Sequence, residues 1–199
     1  MQRIELQESE LSPNFIGSWM MEPISVSDRL IDYFESNYLK QKEGVTSGGR
    51  DTNSKKRTDI SVSPNEINLP GNEIFNEYFH NLFGCYKDYL VQWPFLIDMG
   101  ANLEIGPFNI GKYNSGEHFQ KLHTERASLN TLHRVLAWMT YLNDVDEGGS
   151  TSFTHYGIEI QPRKGLTLMW PAEWTHAHKG NTVKMGPKYI ITGWMYFPE

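Results

Sequence analysis

The chain has 199 residues, 39% of them hydrophobic and 13% aromatic, enough to bury a core without staples and to exclude wholesale disorder. A formal net charge of -6 argues against a nucleic-acid backbone as partner, and one cysteine, Cys85, leaves no intramolecular disulfide and no sign of an oxidising compartment. No segment approaches the roughly 20 apolar residues of a membrane span, and the polar, acidic start MQRIELQESELSP is unlike a signal or transit peptide, so the expectation is a soluble, cytoplasmic, single domain over residues 1–199 with neither membrane nor nucleic-acid partners.

The first half reads as helical support, about residues 20–100. In SVSDRLIDYFESNYLKQKEG, Ser25 to Gly44, the residues Leu30, Ile31, Phe34 and Tyr38 recur at helical spacing. Ser25 or Ser27 is the expected cap, and Lys40, Lys42 and Gly44 mark the end. The polar stretch from Gly44 to about Arg57 reads as a long loop whose length suggests a lid. Its basic run Lys55-Lys56-Arg57 is expected to be solvated. A second helix is expected through GNEIFNEYFHNLFGCYKDYLVQWP, with Ile74, Phe75, Tyr78, Phe79, Leu82, Tyr86, Tyr89 and Leu90 on its apolar face and Pro94 closing it. His80 falls in that aromatic pattern and reads as structural, and Cys85 as buried packing.

From about residue 103 to 197 the pattern changes to short β-like runs: FNIGKY, RVLAWMTYLN, TSFTHYGIEI, LTLMW, WTHAHKGN and KYIITGWMYF. Turn signals such as NSG, DEGG and PRKG separate them. Short strands at this spacing indicate a sandwich or barrel. The predicted architecture is therefore mostly β, an antiparallel jelly-roll with helices packed on one face.

Two short motifs carry the chemistry. His123-Thr124-Glu125 puts a histidine and a carboxylate two apart, on one face if the segment is a strand. Trp174 to Asn181 contains His176 and His178, also two apart. Two histidines and one carboxylate form the facial set that holds non-haem Fe(II) and leaves positions open for substrate and oxygen. A zinc hydrolase could use the same residue types, so the triad alone does not fix the reaction.

The run HTER, then RVLAWMTYLNDVDEGGSTSF, then WPAEWTHAHKGNTVKMGPKYIITGW resembles the 2-oxoglutarate/Fe(II)-dependent dioxygenases of the prolyl 4-hydroxylase-like group, over roughly Phe108 to Phe197. The resemblance implies a double-stranded β-helix with supporting helices. It also implies Fe(II), 2-oxoglutarate and O2, with decarboxylation to succinate and hydroxylation of a C–H bond. The metal ligands it implies are His123, Glu125 and a distal histidine. In the family, glycines follow that histidine by two and eight positions and a basic residue by ten. From His178 these steps reach Gly180, Gly186 and Lys188; from His176 they reach His178, Lys184 and Gly186. The pattern selects His178 and leaves His176 beside the site or lining the pocket. Lys188 is implied to grip the distal carboxylate of 2-oxoglutarate, with Thr151, Tyr113 and Trp194 also matching co-substrate positions. Glu125 departs from the family, where Asp is usual.

His118, His133 and His155 read as surface or supporting residues, Arg126 as a surface ion pair, and Arg134 as either groove-lining or structural. Trp138, Trp170, Trp174 and Trp194 read first as core, with Trp174 an option for the pocket mouth. The expected substrate is a protein, peptide or small molecule; the residues do not identify it. A cupin-like metal-binding jelly-roll without oxygenase activity is the second reading. It has no use for an anion grip ten residues past a ligand.

Overall fold

The computed structural model describes residues 2–4, 13–45, 49, 51–99 and 102–198. The N-terminal stretch read for a leader lies largely outside the described residues, as do positions 46–48 and 50 of the expected lid. No helix among the described residues is long and apolar enough to cross a membrane.

Two antiparallel sheets form a double-stranded β-helix. Along the large sheet lie Gln2–Arg3, Gly17–Met20, Leu166–Pro171, Arg134–Tyr141, Lys188–Tyr196, Phe108–Tyr113, Thr58–Val62 and Lys42–Glu43, with Glu104–Ile105 also pairing with Lys188–Tyr196. The smaller sheet runs Ile158–Ile160, Thr151–Phe153, His178–Gly180, Phe119–His123. TSFTHYGIEI is therefore a hairpin rather than one strand. Its two arms pair Thr151 with Ile160, and a 3-10 turn with Gly157 in the left-handed region joins them.

Helix α1 spans Ser25–Ser36 and helix α2 spans Glu73–Gln92. The first is shorter than its sequence pattern suggests. After Asn37 the chain tightens into a 3-10 turn, Tyr38–Lys40, because Tyr38 and Leu39 face solvent and no apolar stripe remains to hold an α-helix. Its N-cap is Ile24, without a side-chain capping bond, in place of the expected serine. Both helices cover the outer face of the large sheet, joined by an Arg29–Glu77 ion pair of 2.5 Å. His80, set within the aromatic pattern of α2, is exposed.

Side-chain alternation along the central strands sorts two cores. On Arg134–Tyr141, Leu136 and Trp138 join α1 and α2 in one apolar cluster, while Ala137, Met139 and Tyr141 join Phe153, Ile160, Leu168 and Trp170 in another between the sheets. On Lys188–Tyr196, Tyr189, Ile191 and Met195 pack in the helix-side cluster. Lys188, Ile190, Thr192 and Trp194 line a cavity of about 580 Å³ on the other face. Buried Thr140 is satisfied on the helix side by the Tyr78 hydroxyl at 2.8 Å and by Thr167 at 2.8 Å.

Candidate active site

His123 ends the strand Phe119–His123 and His178 begins the strand His178–Gly180; the two are direct partners in antiparallel register, with ring centroids 4.4 Å apart. Each Nδ1 lies against the backbone carbonyl two residues earlier, Lys121 at 2.8 Å and His176 at 2.9 Å. A carbonyl only accepts, so Nδ1 carries a hydrogen, and in the neutral imidazole Nε2 keeps its lone pair for a metal. Both Nε2 atoms face Oε1 of Glu125, at 3.8 Å and 3.4 Å.

Glu125 sits in a bend just past the strand, so the period-two argument does not place it there. The bend is fixed by Thr124 Oγ1 and Arg126 N, both donating to Ala172 O at 2.8 and 3.0 Å. The carboxylate is aimed by its other oxygen, which accepts a 2.7 Å hydrogen bond from Trp194 Nε1. Arg134 donates to the Glu125 backbone carbonyl at 3.0 Å and stacks its guanidinium 3.6 Å over the Trp194 ring. Tying down Oε2 leaves Oε1 to face the histidines, which is how the longer Glu reaches this position.

Burial pushes the His123 imidazole down to about 4, with the neighbouring His178 acting in the same direction, so His123 is neutral at neutral pH. Burial acts to raise the Glu125 carboxyl, but His178, His123 and the Trp194 N–H together hold it at about 2. The three ligand atoms lie within 4.8 Å of one another. Separations of 3.4 and 3.8 Å are within the span of two metal–ligand bonds of about 2.1 Å. Two imidazole nitrogens and one ionised oxygen fit Fe(II).

The triangle opens into the cavity of about 580 Å³, which buried cations also line. Lys188 is 2% exposed. Its Nζ donates to Gly149 O at 2.5 Å and lies 5.1 and 5.3 Å from the ring centroids of Tyr113 and Tyr141. Burial, with the charge of Arg57 nearby, pushes the Lys188 ammonium down to about 7. Positive φ at Gly149, +70°, is the backbone setting beneath that carbonyl, and a Cβ there would come within 3.2 Å of Lys188 Cδ. Thr151 is buried with its hydroxyl 2.6 Å from the donating Tyr141 hydroxyl. Tyr113 is the register partner of Lys188.

Residues 108–196 match the profile described as 2OG-Fe(II) oxygenase superfamily. That match spans a little under half of the chain. Prolyl 4-hydroxylase subunit alpha-1 of Homo sapiens is 28% identical over 110 residues, covering 50% of this chain and 21% of that protein. Procollagen-lysine,2-oxoglutarate 5-dioxygenase 2 of Homo sapiens is 41% identical over 58 residues, 27% of this chain and 8% of that one. The chain thus spans about a fifth or less of these relatives' lengths. Among solved structures, a Pseudomonas putida prolyl-4-hydroxylase superposes with a TM-score of 0.70 at 14% identity, over 96% of both chains. A Trichoplax adhaerens prolyl hydroxylase, in complex with a hypoxia inducible factor peptide fragment, superposes with a TM-score of 0.69 at 15% identity, over 94% of this chain and 86% of that one. The shared fold therefore extends to the helical half, which lies outside the matched profile.

Within this fold the remaining sequence candidates separate. His176 is in the 3-10 turn Trp174–His176, outside the strand of His178. Its Nε2 lies 2.9 Å from Asn14 O, away from the triangle. His118, His133 and His155 also stand apart from it: His133 meets the Tyr196 ring and His155 the Trp174 ring. Trp174 is 68% exposed. Arg126 pairs with Glu173. The run Lys55-Lys56-Arg57 departs from its expected solvated state. Lys55 and Arg57 are each 7% exposed and line the cavity, with Lys56 outside. The signal was present as a period of two, since Lys55, Arg57 and Asp59 alternate into the strand Thr58–Val62.

Proposed function

We propose that this chain is an Fe(II)- and 2-oxoglutarate-dependent hydroxylase acting on a peptidyl C–H bond, prolyl in the first instance. The observation that carries the reading is a buried cation, Lys188, facing the same cavity as the His123, Glu125 and His178 donor atoms. A metal-binding module without oxygenase activity has no use for such a cation. Similarity to prolyl hydroxylases, one of them in complex with a peptide, supports the substrate class. We read residues 1–199 as one domain, with α1 and α2 as its support.

In this reading His123, Glu125 and His178 hold Fe(II). Lys188, Thr151 and Tyr113 receive the distal carboxylate of 2-oxoglutarate, and Trp194 keeps Glu125 turned to one-oxygen ligation. Bound iron with 2-oxoglutarate and O2 supplies the oxidising power that breaks an unactivated C–H bond, leaving succinate and CO2. The chain's own contribution is placement. The Nδ1–carbonyl contacts orient both imidazoles before the metal arrives. The inner sheet faces, with Met139, Trp170 and Ile190 in the cavity wall, exclude water from the reacting groups. Lys188 offers a charge-assisted contact in a site of low dielectric.

The test is incubation of the Fe(II)-loaded protein with 2-oxoglutarate and proline-containing peptides. Succinate should form, and the peptide should gain one oxygen atom in proportion. No succinate with or without peptide would overturn the oxygenase reading. Succinate with oxygen gained only by non-prolyl residues would overturn the prolyl assignment alone.

A further inference from the structure

Arg57 is a buried cation to which neither the metal triangle nor the Lys188 grip assigns a task. Its Nε lies 2.6 Å from Asp59 Oδ1. Its Nη1 donates to the Tyr113 hydroxyl at 2.9 Å, and the guanidinium carbon stands 5.5 Å from the centroid of that ring. Asp59 is braced on its other oxygen by Lys55 Nζ at 3.2 Å. The glycine backbone of the neighbouring strand makes room for this assembly: a Cβ at Gly111 would lie 2.8 Å from Asp59 Oδ1 and 3.2 Å from Arg57 Cζ. Lys55, Arg57, Asp59, Tyr113, Thr151 and Lys188 all line the one cavity.

We propose that Arg57 is a positioning residue for the co-substrate: by donating to the Tyr113 oxygen, it turns the phenolic hydrogen toward the carboxylate that Lys188 receives. The inference rests on the oxygenase reading above. A phenol carries one hydrogen, and its oxygen accepts along its lone-pair directions. Guanidinium has only hydrogens to offer and stays charged at every working pH. Once Arg57 occupies a lone pair, the Tyr113 hydrogen must find a different acceptor. Lys188, the register partner of Tyr113 across the strand pair, marks where an anion would supply one. Asp59 anchors the guanidinium at Nε, so its Nη1 direction is set before any ligand enters. Arg57 therefore acts through Tyr113 and need not touch the co-substrate.

The test is titration of keto acids into anaerobic Fe(II)-loaded protein, read by the charge-transfer absorbance of the chelate. Two ligands are compared: 2-oxoglutarate, and 2-oxobutanoate, which has the same chelating end and no distal carboxylate. Arg57→Gln should raise the Kd for 2-oxoglutarate about tenfold, the scale of one hydrogen bond to a charged group, and leave 2-oxobutanoate unchanged. In a Tyr113→Phe background the same substitution should change 2-oxoglutarate binding by less than about twofold, since interacting residues are non-additive. Arg57→Lys, which keeps a cationic donor, should recover part of the loss. Equal weakening of both keto acids would mean a general structural role and overturn the proposal. Fully additive losses in the Arg57→Gln, Tyr113→Phe double variant would overturn it as well, by showing that Arg57 does not act through Tyr113. Should Arg57→Gln fail to fold, a Tyr113→Phe loss confined to 2-oxoglutarate and a partial loss in Arg57→Lys that vanishes beside Tyr113→Phe would carry the same decision. No chelate with either keto acid in the wild type would remove the oxygenase reading itself, and the role of Arg57 with it.

Discussion

The two faces of the large sheet are built from the same strands and obey different rules. On the helix side, Leu136, Trp138, Ile191 and Met195 meet α1 and α2 in an apolar cluster, with Asp88 and Glu35 touching it only from its partly exposed edge. On the cavity side, the alternate residues of those strands share their space with Lys188, Arg57, Lys55 and Asp59, all buried. Burying apolar surface stabilises a fold at about 25 cal/mol per Å². Burying a cation without a full counter-charge costs stability. The helix face therefore supplies the stability that the cavity face draws on, and substitutions on the two faces should differ in sign as well as size.

The largest effect should come from the helix face. Trp138→Ala removes a fully buried indole that packs against Tyr78, Phe79 and Phe108. It should lower the unfolding free energy by about 3–5 kcal/mol, measured by urea denaturation. A loss under about 1 kcal/mol would mean that this face is not the stabilising one.

Lys188→Met should do the reverse. An apolar chain of similar length removes a buried cation, so unfolding stability should hold or rise at neutral pH. The Kd for 2-oxoglutarate should rise on the order of thirtyfold as the anion loses its main partner. The pH dependence sharpens this. In the unfolded chain a lysine holds its proton to about pH 10.4, whereas folded Lys188 releases it near 7. Between those values the unfolded state binds more protons, so wild-type stability should increase as pH rises from about 7 to 9. Lys55, held down to about 8 by burial and Arg57, adds in the same direction over the upper part of that range. In Lys188→Met the increase should shrink. An unchanged slope would show that Lys188 is not the group responsible.

A smaller effect belongs to the metal end. Trp194→Phe keeps most of the ring beneath Arg134 and removes the N–H that holds Glu125 Oε2. Fe(II) affinity should fall about tenfold, as for other groups that orient a ligand, with urea stability within about 1 kcal/mol of wild type. Competition with a chelating dye would measure the first and denaturation the second.

Legibility in the sequence followed the same division. The helix face could be read because apolar periodicity reports burial directly: the buried Phe75, Tyr78 and Leu82 stood out as one stripe of α2. The strands that carry His123, His178 and Lys188 could be read from their alternation and turn residues. The cavity-side cations could not be read as easily. Lys55 and Arg57 look like solvent residues in composition, and their burial is made tolerable by Asp59, by Tyr113 far off in the sequence and by the Val45 carbonyl. Glu125 reached the site by a bend held from Ala172, which no local periodicity reports. His176 closes a 3-10 turn just before the strand of His178, where a continuous strand was expected.

The strand Lys188–Tyr196 has one more consequence. Lys188, Ile190, Thr192 and Trp194 all face the cavity, so the cation proposed to receive the co-substrate and the indole that holds the Glu125 carboxylate are marks on one rigid rule. Inserting a single residue between them would turn one mark into the helix core, and inserting two would move them apart by about 7 Å. If Lys188 receives the co-substrate as proposed, the length of co-substrate that this scaffold accepts is quantised by the pleat. Adapting it to a longer or shorter dicarboxylate must proceed by exchanging side chains on that rule, since the chain itself cannot be let out or taken in by small steps.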